Sequence, residues 1–303
     1  MAKTILSSNQ KGGVGKSTTA AILAEVLAYL DKEVLILELE PQMNLSNLFS
    51  ANNSNRNLST ADLFSEHDYT KDELMNSIIE TPYPNIYMLP GSLELYNVPD
   101  KITTKYISNY IEEEKKFDPE YLYNRFINDI SSKVIIKNQL IKIQTEFDYI
   151  IIDSNPFKTI MNTNAMCMSD LVLIPIETDG YSYNGLTPLL DTYEEVAGNT
   201  LLNPDLPLPK IFITRAAKNT NNYKDFHDVL ESSFGTSFLK TSISNDTKIK
   251  ESSGENIPPL HWAPKSKACK DYIDLFKEAG LLTSAQHKKL LPQNFLQKMR
   301  IDK

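Results

Sequence analysis

Along most of the chain, short apolar runs alternate with segments whose apolar residues return at helical spacing. Thr4–Leu6, Val34–Leu37, Tyr149–Ile152, Leu171–Ile174 and Lys210–Ile213 read as strands. A run that is apolar at nearly every position belongs to a strand covered on both faces. Ser17–Leu30 places Ala20, Ile22, Leu23, Val26, Leu27 and Leu30 on a helical stripe, and Thr159–Met168, Asn184–Val196 and Tyr223–Phe234 also read as helices. Such alternation predicts an α/β fold, a doubly wound and mostly parallel sheet with helices on both faces.

The stretch from Asn52 to Thr145 breaks the rhythm. Asn52–Asn57 is polar and loop-like, Thr70–Ile79 predicts a helix, and Asn85–Leu89 predicts a strand. From Ile102 to Gln144 the chain is charged and helical, and its Glu112-Glu113-Glu114-Lys115-Lys116 run reads as a solvated face. Pro204, Pro207 and Pro209 stiffen the loop before the last predicted strand. The expected organisation is one domain over residues 1–282, with a helical insertion at about 97–140, and a helical tail over 283–303.

Composition adds a few exclusions. Hydrophobic residues make up 41% of the 303, enough for a sizeable core, and the net charge of −8 excludes a protein coated in basic charge. A local basic patch remains compatible with that balance. Cys167 and Cys269 are far apart and form no C-x-x-C, so neither a zinc site nor a disulfide framework is expected. The first residues read as a strand running into a polar loop, not as a secretory signal. No apolar run approaches the ~20 residues that span a bilayer.

The chemistry begins near the amino terminus. Lys11-Gly12-Gly13-Val14-Gly15-Lys16-Ser17-Thr18 follows a strand and opens a helix, the context a phosphate loop requires. Glycines let backbone N–H groups close on phosphates, and the helix N-terminus favours an anion. Lys16 is placed for the β- and γ-phosphates, the Ser17 hydroxyl for Mg²⁺, and Thr18 for the α-phosphate. The usual spacing wants Gly where Gln10 stands, and Lys11 follows as an additional lysine. A second strand ends in Glu38-Leu39-Glu40-Pro41-Gln42, whose acids read either as site groups or as surface acids. A third, Tyr149–Ile152, runs into Asp153, the arrangement that holds Mg²⁺ beside such a loop.

These motifs resemble the ParA family of partition ATPases, over most of residues 3–282. The likeness rests on the deviant loop Lys-Gly-Gly-Val-Gly-Lys-Ser-Thr, the strand to Asp153, and looser matches at Asn164-Ala165, Leu171–Pro175, Gly185-Leu186, Phe212–Arg215, Ile243–Glu251, Pro258-Pro259 and Ser266–Ala268. The resemblance implies ATP and Mg²⁺ as cofactors, with Lys11 reaching the nucleotide of a partner subunit and so acting with Lys16 and Glu40 in catalysis. The family has Asp at both Glu38 and Glu40 and Gly at Met43, so a longer carboxylate arm at Glu40 implies slow hydrolysis. Asn44 matches a water-orienting polar residue, whereas Asn155 departs from the family's Pro-Pro. No helix-turn-helix precedes the loop, as in the shorter members.

The same resemblance implies an ATP-bound homodimer that binds DNA without sequence preference and is stimulated by a ParB-like centromere-binding protein. Lys248 aligns with the family's DNA-binding Arg, and Lys250, Lys218 and Lys240 are candidate helpers. A cytoplasmic, nucleoid-associated protein is expected. Two other readings stand beside it. One is a MinD-like membrane ATPase, for which the tail Gln286–Lys303 supplies mixed apolar and basic residues that Pro292 interrupts. The other is a nucleotide-gated clamp that scarcely hydrolyses ATP.

Overall fold

A computed structural model describes residues 1–51, 58–114, 118–120, 122, 125, 129–157, 159–178 and 186–290. The sheet has strands β1 (Lys3–Ser7), β2 (Val34–Glu38), β3 (Ile79–Glu80), β4 (Ile86–Leu89), β5 (Tyr149–Asp153), β6 (Leu171–Ile176) and β7 (Lys210–Ile213). Their order is β3-β4-β2-β5-β1-β6-β7. All neighbours are parallel except β3 and β4. The expected α/β architecture is the one observed.

The helices are α1 (Lys16–Tyr29), α2 (Asn44–Leu48), α3 (Lys71–Met75), α4 (Val98–Glu114), α5 (Ile135–Leu140), α6 (Ile160–Cys167), α7 (Leu186–Ala197), α8 (Asn221–Phe234), α9 (Thr247–Glu255), α10 (Pro259–Trp262), α11 (Lys267–Glu278) and α12 (Ser284–Lys289). Alternation along the strands divides their side chains between the faces. Leu35, Leu37, Ile150 and Ile152 join Ile136, Ala165 and Leu189 of α5, α6 and α7 on one side. Val34, Ile36, Ile151 and Phe212 join Ile22 and Val26 of α1 and Tyr272 and Phe276 of α11 on the other. Burial of both faces removes a large apolar area from water, at about 25 cal/mol per Å². Cys167 and Cys269 are buried free thiols, each pushed up to about 12 by burial.

One predicted segment comes out differently. The helix expected over Thr70–Ile79 is only α3. Thr70 and Glu73 form a reciprocal capping box that starts it, but Asn76 caps its end. The chain then extends, and Ile79 pairs with Met88 on the sheet edge. Over Ile102–Gln144, expected to be charged and helical, the described residues include α4, begun earlier at Val98 with Pro99 in its first turn, then a 3-10 turn at Ser131–Lys133 and α5. Part of the acidic and basic run within it, and Asn52–Asn57, Gly185 and residues 291–303, lie outside the described residues. Of the tail, α12 is seen, and Leu290 is buried against the α1–α11 core. Among the described residues no helix is long and apolar enough to cross a membrane.

Register positions the site. Ser7 of β1 and Glu38 of β2 both stand opposite Asp153 of β5. The loops leaving these strands therefore emerge level, on the carboxyl edge of the sheet, where open parallel sheets bind their ligands. Gly91, after β4, passes under this edge. A Cβ there would lie 2.9 Å from the Glu40 carbonyl oxygen and 3.2 Å from that of Glu38. Gly91→Ala is expected to destabilise the protein by about 1–3 kcal/mol in urea unfolding, because backbone on both sides must shift. Gly254→Ala, in α9 with nothing within 4 Å of the added Cβ, is the control and should be neutral or stabilising by under about 1 kcal/mol.

Candidate functional site

The loop between β1 and α1 takes its shape from two glycines and a web of side-chain clamps. Gly13 and Gly15 have φ of 80° and 98°, the left-handed region that favours glycine. A Cβ on Gly15 would make only ordinary contacts, with the Tyr272 hydroxyl at 3.5 Å and Thr214 Cγ2 at 3.7 Å, so its φ is what calls for glycine. Ser7 Oγ donates to the Lys16 carbonyl at 3.0 Å, and Thr214 Oγ1 donates to the Val14 carbonyl at 2.8 Å. Val14 is fully buried and shapes the loop from behind. Asn9 ties the loop to the end of β6, donating to the Pro175 carbonyl at 2.7 Å and accepting from Lys11 N at 2.9 Å.

Gly12, Gly13, Gly15, Lys16, Ser17, Thr18 and Glu40 line one cavity of about 350 Å³. The predicted loop residues and the predicted second acid thus come together. Lys16 is 7% exposed, its Nζ donating to the Lys11 carbonyl at 3.0 Å. Burial lowers its pKa, against the opposing pull of Asp153 and Glu40. Burial also raises Glu40, which accepts from Gln42 N at 3.3 Å and is held back by that bond and by Lys16. Lys11 lies apart from the cavity lining and pairs in its own chain with Glu177 at 3.3 Å.

Asp153 is the most unusual group here. It is fully buried, and neither carboxylate oxygen has a hydrogen-bond partner. Ser17 and Lys16 lie near enough to favour its ionised form, but neither offsets burial, and its pKa is raised to about 7. An orphaned buried carboxylate beside a serine hydroxyl at a helix start fits a divalent cation. Ser17 and Asp153 are the residues that would hold Mg²⁺, which when bound neutralises charge on the β- and γ-phosphates.

Glu38 is neither a site group nor a surface acid. It is fully buried, accepts from Leu45 N at 2.7 Å and Gly91 N at 3.2 Å, and takes the Ser46 hydroxyl. Burial raises its pKa against all these donors. It fastens the start of α2, which supplies Asn44, Leu45, Asn47 and Leu48 to the cavity. Met43 adopts φ of 54° where the resemblance expects Gly, and so enters α2 in the left-handed region. Asn155 caps its own turn, accepting from Phe157 N at 3.1 Å.

Sequence reasoning missed the far wall, formed by Arg215, Ser253, Asn256 and Pro259. Its anchor is Glu25 of α1, buried at 1%, which accepts from Leu260 N and His261 N at 3.1 Å each. The apolar periodicity of α1 hides this acid, and only its place inside a buried stripe signals it. Lys248 and Lys250 are exposed on α9, whose Ser253 lines the cavity together with Asn256 just past the helix end. Lys248 pairs with Glu251 at 2.6 Å and Lys240 with Glu231 at 2.7 Å, while Lys218 is exposed.

A family model described as an AAA domain matches residues 2–208. The chain is 27% identical to the sporulation initiation inhibitor protein Soj of Bacillus subtilis, covering 92% of this chain and 99% of that protein. It is 26% identical to the chromosome-partitioning ATPase Soj of Treponema pallidum, covering 92% and 97%. The fold superposes on a plasmid partition protein of Borrelia burgdorferi bound to AMPPNP with a TM-score of 0.65, at 23% identity and covering 92% of this chain and 98% of that one.

The carboxyl of Asp153 sets a pH dependence. An acid whose folded pKa is raised stabilises the fold below its unfolded pKa, and that contribution is lost as pH rises through about 7. Nucleotide-free protein should therefore lose roughly 1–3 kcal/mol relative to Asp153→Asn between about pH 4 and pH 8, read by denaturant unfolding. Magnesium with ATP should stabilise wild type more than the variant, which lacks the carboxylate that a cation would neutralise.

Proposed function

The chain belongs to the ParA family of partition ATPases, and on that premise we propose that it is an ATP-dependent DNA-segregation ATPase whose ATP-bound dimer binds DNA. The observation that carries the reading is the shared cavity of Gly12, Gly13, Gly15, Lys16, Ser17, Thr18 and Glu40, backed by the orphaned carboxylate of Asp153. The AMPPNP held by the Borrelia relative supports ATP as the ligand.

In this reading backbone amides of the loop and Lys16 hold the triphosphate, and Ser17 and Asp153 hold its magnesium. Thr18 takes the α-phosphate, and Asn256 and Pro259 enclose the nucleoside. Lys11 crosses to the nucleotide of a second copy. Glu40, raised by burial yet adjacent to Lys16, orients the attacking water at the γ-phosphate. Its extra methylene relative to Asp makes that geometry loose, so hydrolysis is slow until a ParB-like partner orders it. Lys248 and Lys250, both exposed on α9, meet DNA phosphates. Because Ser253 of the same helix and Asn256 at its end line the nucleotide cavity, ATP and DNA binding are linked through one rigid element.

Sizing in ATP, ADP and no nucleotide tests the first step. Wild type should dimerise with ATP alone, and Lys11→Ala should bind ATP but stay monomeric. Equal dimer with ADP would count against the reading. Glu40→Gln should lower the hydrolysis rate by about 10²-fold while the dimer persists, seen as phosphate release. DNA retention should need ATP and fall steeply with salt, with Lys248→Ala lowering the slope of log K against log salt by about 1.

A further inference from the structure

One carboxylate at the mouth of the cavity holds two cations. Glu177 directly follows β6. Its Oε2 lies 3.3 Å from Lys11 Nζ, and its Oε1 accepts from Arg215 Nη1 at 2.7 Å. The Glu177 and Lys11 side chains are only 20% and 28% exposed, so this is more than a fully solvated surface pair. Arg215 lines the nucleotide cavity and has φ of 50°, a conformation that a residue with a Cβ keeps only where its surroundings demand it. The strand end and the loop are also tied at the backbone, through Asn9, the Pro175 carbonyl and Lys11 N.

We propose that Glu177 is a positioning residue for the ATP-dependent dimer. It holds Lys11 and Arg215 folded onto their own subunit, so Lys11 reaches a second copy only after a bound triphosphate has drawn the cations away. The proposal rests on the reading of Lys11 as a contact across the dimer. Its direction follows from charge. A triphosphate brings like charge toward Glu177 and offers oxygens that compete for the planar fork of Arg215. ADP lacks the γ-phosphate and competes less. Glu177 therefore raises the ATP concentration at which the dimer forms and sharpens the preference for ATP over ADP. A state held back by an ion pair is populated only when the ligand's differential affinity exceeds that pair's strength.

Glu177→Gln keeps the shape and removes the charge. Light scattering should show its half-maximal dimerisation at about two- to five-fold lower ATP than wild type, the range expected of a partly shielded ion pair. In nucleotide-free monomer, an amine-reactive ester should label Lys11 faster than in wild type, read by mass spectrometry. A purely structural role for Glu177 would not selectively speed that labelling. Glu177→Asp retains charge on an arm too short to span both cations. It should shift labelling the same way, and it serves if the Gln variant melts early. An unchanged or higher ATP requirement, or unchanged labelling, overturns the role of Glu177. That failure is distinct from failure of the dimer reading, which would show as wild type remaining monomeric in ATP.

Discussion

The level ending of three parallel strands is the constraint on which the site depends. With Ser7, Asp153 and Glu38 in one row, the phosphate loop, the buried carboxylate and the strand-end acids cannot be placed independently. A one-residue slip would turn every side chain of a strand to the opposite face. Because β2 and β5 are buried on both sides, such a slip exchanges one packed core for another and moves Glu38 and Asp153 out of line. The hydrophobic layers fix the register, and the register fixes the chemistry.

Charge at this edge is deliberately unbalanced. Lys16 stands against Asp153, Glu38 and Glu40, with burial opposing ionisation of each acid. The acids then divide by partner. Glu38 has its oxygens filled by Leu45, Ser46 and Gly91 and is spent on structure. Asp153 has none, and its cost of burial is what a cation would relieve. Glu40 lies between, half-solvated and lightly held. The same carboxyl chemistry thus gives a filled clamp, an unpartnered buried acid and a half-exposed one, according to how many donors surround it.

Much of this was legible in the sequence because its signals are local. Apolar runs marked five of the seven strands beforehand with β4 a sixth, and most of the contiguous loop Lys11–Thr18 proves to line one cavity. What stayed hidden was contact between distant residues. The donor from Gly91 to Glu38 is 53 positions away, and Lys11 and Glu177 are separated by 166. No spacing rule spans such distances. The two-residue β3 was missed for another reason. Ile79-Glu80 carries no alternation of its own and is a strand only because Met88 and Tyr87 lie beside it.

The far wall of the cavity has a consequence in time. Ser253, Asn256 and Pro259 lie late in the chain, and Glu25 near its beginning anchors the segment that bears them. During synthesis the amino-terminal sheet can assemble while the carboxyl quarter is still being made. The phosphate loop then exists before its enclosure does. The cavity therefore gains its last wall only once the segment bearing Asn256 and Pro259 has docked on Glu25.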